Sequence, residues 1–90
     1  MWKVEYSKES IKTLRKLNQH IIKFIQNKIR NVTDWLNNKA DLRVDLKKLK
    51  GEWEGYYRIR AGRLRIIISF LEEDRIVRIH LIDFRGDVYK

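Results

Sequence analysis

The spacing of apolar residues changes once along this chain, from a helical period to a strand period, and that change decides the class of fold. Between Ser7 and Leu36 apolar side chains recur at helical spacing: Ile11, Leu14, Leu17, Ile21, Phe24/Ile25, Ile29, Val32 and Trp35/Leu36. Ser7 offers an N-cap. The stripe is too long for one ordinary helix, and the polar step Asn18–His20 predicts a break. A first helix of about ten residues and a second of about twenty are expected, ended by "NNKAD" at Asn37–Asp41.

Beyond that point the period is two. "GYYRIRA" and "LRIIISFLE" flank Gly62-Arg63, with glycine where a two-residue type II′ turn needs it. "EEDR" (Glu72–Arg75) predicts the next turn and "IVRIHLIDF" (Ile76–Phe84) the last strand. "VDLKKLKG" (Val44–Gly51) reads as a short, Lys-rich strand at or near a sheet edge. At the other end "WKVEY" (Trp2–Tyr6) alternates as a half-buried strand does. The order β-αα-ββββ predicts an α+β domain spanning residues 1–90. Its antiparallel sheet would have four to five strands, with an N-terminal helical hairpin on one face.

A chain of 90 residues builds a single modest core, burying about 60–65% of the surface its unfolded form exposes. No apolar run approaches the roughly 18 residues of a membrane span. The N-terminal stretch lacks a signal peptide's apolar segment, and cysteine is absent. A cytoplasmic protein without disulfide or thiolate chemistry is expected, with no membrane association. The net charge of +9 points to a polyanionic partner, either nucleic acid or an acidic protein.

That charge is concentrated in "YYRIRAGRLRIIISF" (Tyr56–Phe70), which holds Arg58, Arg60, Arg63 and Arg65. Alternation puts Arg58 and Arg60 on one face and Tyr57, Ile59 and Ala61 on the other. A turn at Gly62-Arg63 sets Arg60 opposite Arg65. Leu64, Ile66, Ile68 and Phe70 then share the apolar face, joined from the last strand by Val77, Ile79 and Leu81. Arg78 and His80 thereby fall on the charged face. Like charges directly opposite destabilise a sheet, and the Arg58–Arg65 segment contains no acid. A role in function is expected, since the guanidinium fork matches phosphate.

The chemistry open to such a face is limited. His20 and His80 lie far apart with no carboxylate at ligand spacing, Asp83 and Asp87 read as turn or cap residues, and no metal or other cofactor is expected. The four glycines are isolated and form no phosphate loop, and no Ser/His/Asp or Cys/His set can be assembled. Fixed arginines can nevertheless stabilise the charge that develops when a ribose 2′-hydroxyl attacks its neighbouring phosphate. His80 and Tyr89 are the available proton acceptors.

At these residues the chain resembles a family. "LKKLKG", "YYRIRAGRLRIIISF" and "IVRIHLIDFRGDVYK" together are similar to the RelE/ParE superfamily of toxins from type II toxin–antitoxin pairs. The likeness is greatest to RelE-like messenger-RNA endonucleases. It implies a toxin that enters the ribosomal A site and cuts the bound message by metal-independent 2′-hydroxyl attack. It also implies a cognate acidic antitoxin that blocks the toxin in a hetero-oligomeric complex. By position, Arg65 would stabilise the reacting phosphate, Arg58 and Arg60 would hold the message backbone, and Arg85 would lie near the leaving group. Tyr89 would stack on a base or help move the proton. Lys47, Lys48, Lys50, Arg63, Arg78 and His80 would add contacts to RNA. Relatives often read "HRRDVY" where this chain has "FRGDVY", so Phe84 and Gly86 replace a histidine and a second arginine. Two further readings belong to the same resemblance: a gyrase inhibitor of the ParE branch, and a silent module that binds RNA or antitoxin without cutting.

Overall fold

Each helix begins on a polar side chain that the sequence supplies at the right place. In this computed structural model, which describes residues 1–38 and 41–84, helix α1 spans Lys8–Arg15 and α2 spans Gln19–Asn38. Ser7 Oγ accepts from the Ser10 amide at 3.1 Å, and Asn18 Oδ1 accepts from the Ile21 amide at 3.0 Å. Both are N-caps that satisfy amides the helix itself leaves unpaired. The break therefore falls at Lys16–Asn18, two residues earlier than expected, with Asn18 outside α2 and Gln19–His20 inside it. α1 is accordingly shorter than expected, at 8 residues.

Five strands follow the order β1-β5-β4-β3-β2: β1 Lys3–Tyr6, β2 Asp45–Lys48, β3 Tyr57–Ala61, β4 Leu64–Leu71 and β5 Ile76–Phe84. The β2–β3, β3–β4 and β4–β5 pairs are antiparallel, as expected. β1 runs parallel to β5, so the sheet is mixed rather than wholly antiparallel. The two helices intervene between β1 and the rest, and a crossover of that length permits parallel pairing. Gly62 has φ +61° and Arg63 has no positive φ, which is the type II′ pattern the hairpin requires.

Both helices contribute to one core on one face of the sheet. Ile25, Ile29 and Val32 of α2 meet Ile59, Leu64, Ile66, Ile68, Val77, Ile79 and Ile82, all essentially inaccessible. Each such side chain contributes about 1.5–3 kcal/mol on burial. Trp2, Val4, Leu14, Leu17, Leu46 and Phe70 close the rim.

β5 departs from simple alternation. Ile67 pairs with Leu81 but Ile68 pairs with Ile79, so His80 is an extra residue, a β-bulge. One added residue reverses the facing of everything beyond it. Ile82, not the expected Leu81, therefore enters the core, while Leu81 joins Ile67 on the sheet face away from the helices. The bulge is anchored by the start of α1. The Ser7 hydroxyl donates to the His80 carbonyl at 2.7 Å, and the Ser7 amide donates to the Ile79 carbonyl at 2.9 Å.

Candidate nucleic-acid interface

With the core residues of β3 and β4 turned to the helices, Arg58, Arg60 and Arg65 are left on the outer face. There the strand register lines up Asp45, Arg60, Arg65 and Asp83 in one row across β2, β3, β4 and β5. Arg60 does stand opposite Arg65, and the two like charges are flanked by acids from the neighbouring strands. Counting acids only along the hairpin misses this, because the counter-charges come from residues distant in sequence. The alternation of "VDLKKL" carries the missing signal: Leu46 faces the core, so Asp45 and Lys47 must share the arginine face.

Asp45 bridges two guanidinium groups. Arg60 Nε donates to Oδ2 at 3.0 Å with Nη2 at 2.9 Å from the same oxygen, and Arg58 Nη2 donates to Oδ1 at 3.4 Å. Arg60 and Asp45 are both about half exposed, with side-chain accessibilities of 47% and 45%. Such pairs stabilise by only about 0–1 kcal/mol and are screened by salt, so Asp45 is an exchangeable counter-charge. Arg58 is the more enclosed, with its side chain 14% exposed and its Nε buried without a hydrogen-bond partner. An orphaned donor of that kind costs about 1–3 kcal/mol. Asp83, across from Arg65, is buried at 4% exposure.

The other expected residues divide by position. Lys47 lies opposite Arg58 on the same face, whereas Lys48, opposite Tyr57, lies on the helix side of the sheet edge. Lys50 immediately precedes a short 3₁₀ turn, Gly51–Trp53, and Arg63 sits exposed at the hairpin turn. Arg78 reaches across the parallel β5–β1 pair to form a salt bridge with Glu5. Arg85 and Tyr89 fall outside the described residues, as do Gly86 and Asp87.

His80 is the least anticipated of the set. Its Nε2 lies 2.8 Å from Ser69 Oγ, and its ring meets Tyr56 edge-on at 4.6 Å between centroids. Tyr56 in turn meets Trp53 at 5.2 Å. Burial holds the imidazole pKa below its ordinary value, with the Arg78 charge acting in the same direction. Both effects favour the neutral imidazole, which Ser69 meets at hydrogen-bond distance.

This layered α+β sheet with a basic outer face has counterparts among known proteins. The chain belongs to the family described as the ParE toxin of type II toxin–antitoxin systems, parDE, whose profile matches residues 4–89. It is thus a type II toxin of the RelE/ParE superfamily. No curated protein sequence matches it. Among solved structures it resembles a chain of the RelB–RelE antitoxin–toxin complex from Methanococcus jannaschii, with 29% identity, TM-score 0.71 and 94% of each chain covered. The archaeal RelE–RelB complex from Pyrococcus horikoshii follows at 26% identity and TM-score 0.68, covering 97% of this chain and 98% of that one. The RelBE2 complex from Mycobacterium tuberculosis shares the fold at 24% identity and TM-score 0.67, covering 96% and 93%.

Proposed function

We propose that this toxin is an endoribonuclease that cuts messenger RNA in the ribosomal A site and so inhibits translation. The observation that carries the reading is the side-by-side placement of Arg60 and Arg65 across β3–β4, with Arg58 and Lys47 beside them on the outer face. The ribose 2′-oxygen attacks the adjacent phosphorus, its proton passes to a base, and the 5′-oxygen leaves with a 2′,3′-cyclic phosphate behind it. Arg65 stabilises the negative charge that grows on the phosphoryl oxygens. Arg58, Arg60 and Lys47 hold the flanking backbone, and the phosphate takes over the contacts that Asp45 makes in the free protein. Arg85 and Tyr89 enter by resemblance alone, the first near the leaving group and the second as base-stacking or proton-transfer residue. Lys48, Lys50, Arg63 and Arg78 add longer-range attraction to RNA.

The relatives from Methanococcus jannaschii and Pyrococcus horikoshii are complexes of RelE with RelB, which supports an antitoxin partner here. Charge complementarity makes it acidic, working with this toxin in the cytoplasm. The test is cleavage of a defined message on purified ribosomes with an empty A site, wild type beside Arg65→Ala, with naked RNA as control. Ribosome-dependent cuts by wild type alone are expected. Equal cutting by a folded Arg65→Ala variant overturns the assignment. The ParE description of the matching family favours one second reading, inhibition of DNA gyrase. Loss of supercoiling activity on addition of the purified toxin, without message cleavage, would establish it.

A further inference from the structure

The outer face carries a second feature that the phosphate chemistry does not use. Ser69 lies two residues beyond Ile67 and four beyond Arg65 on β4, all on the same face. Continuing the β3–β4 register places Tyr56 beside Ser69, and the bulge brings His80 onto the same spot. Three rings follow one another there: Trp53 meets Tyr56 at 5.2 Å and Tyr56 meets His80 at 4.6 Å, both edge-to-face. The backbone enforces the grouping. The Tyr56 amide donates to the Trp53 carbonyl at 3.0 Å, and Gly55 between them has φ +93°, a conformation that side-chain-bearing residues resist. Trp53 nevertheless stays 43% exposed.

We propose that Trp53, Tyr56, His80 and Ser69 form a nucleobase subsite that holds an unpaired RNA base next to the arginine row. The proposal rests on the RNA reading above and names which part of the substrate the rest of the face contacts. Aromatic rings beside a cationic track are the arrangement that binds single strands, rings stacking bases while guanidinium groups follow the backbone. Arg65 to Ser69 spans about 13 Å at strand rise, a gap that a short single strand bridges. A neutral imidazole paired with a hydroxyl offers donors and acceptors to a base edge, and Ser69 Oγ keeps hydrogen-bonding capacity beyond its contact with His80. Arg78, the cross-strand partner of Ser69, supplies a flanking charge.

The test is binding of the full-length toxin to two short oligoribonucleotides of equal charge, one intact and one with abasic riboses at successive positions. Wild type, Trp53→Ala and Trp53→Phe are compared, with near-identical circular dichroism spectra as the folding control. Stacking on one base predicts about 5- to 150-fold tighter binding of the intact strand than of the abasic one. Trp53→Ala should abolish that difference and Trp53→Phe restore most of it. Equal affinity of wild type for the two strands overturns the subsite and leaves the phosphate-binding face standing. An intact preference that persists unchanged in Trp53→Ala also overturns it. No binding of either strand overturns the subsite, while the RNA reading is decided separately by the cleavage assay on ribosomes.

Discussion

Replacing Ser7 by alanine removes two bonds that meet at one oxygen. In the native protein Ser7 Oγ accepts from the Ser10 amide, capping α1, and donates to the His80 carbonyl, anchoring the bulge. Loss of an N-cap costs about 1 kcal/mol. A partly buried carbonyl left without its donor costs about 1 kcal/mol more. For a domain of this size each kcal/mol corresponds to about 4–8 °C in Tm, so a fall of about 10 °C is expected. Ser7→Asp separates the two parts, because a carboxylate caps the helix but cannot donate to the carbonyl. It should recover roughly half of the loss. Ser7→Thr keeps both functions and should melt close to wild type. Thermal melts followed by circular dichroism, with urea midpoints at constant m, measure all three. A Ser7→Ala protein that melts within about 2 °C of wild type would refute the view that this hydroxyl ties helix to bulge.

Asp45→Asn should leave stability within about 1 kcal/mol yet tighten RNA binding, since two arginines lose their internal competitor. The salt dependence of log K against log[salt] should steepen by about 0.7 for each added phosphate contact, measured by titration at several salt concentrations. His80, whose folded pKa lies below its unfolded value, contributes stability that is present above pH 6.5 and is lost as pH falls through the folded pKa. His80→Gln should flatten that acid limb, read from urea midpoints between pH 5 and pH 8. Ile25→Ala, at a fully buried site in α2, should cost about 2–5 kcal/mol and lower the urea midpoint without shifting the sheet register.

The element order could be read from the chain because helical and strand periods are local properties. Ser7 announced α1, the polar step Asn18–His20 the break between the helices, and Gly62 the hairpin, each through a preference that acts within a few residues. The bulge could not be read in the same way. Strict alternation from Val77 and Ile79 turns Leu81 inward, and only the offset between the Ile68–Ile79 and Ile67–Leu81 pairs brings Ile82 there instead. The direction of β1 was hidden for a related reason, since it depends on the path taken through two helices. The arginine row was legible in β3 and β4, where a turn two residues long fixes the register. Its acidic flanks and the Trp53–Tyr56–His80 group needed tertiary pairing to bring them together.

The pairing of β1 with β5 also sets the order of events when the chain is made. Lys3 must find Ile76, and Tyr6 must find Ile79, across nearly the whole described length. Long-range pairings of this kind form late, since the loop-closure entropy comes before any contact repays it. β1 is made before β5, and its pairing waits on that strand. The same late strand carries the bulge that seats α1 and the Asp83 that faces Arg65. Until β5 pairs, the arginines of β3 and β4 therefore sit on an unfinished sheet, and the row that Asp83 closes is complete only once that strand is in place.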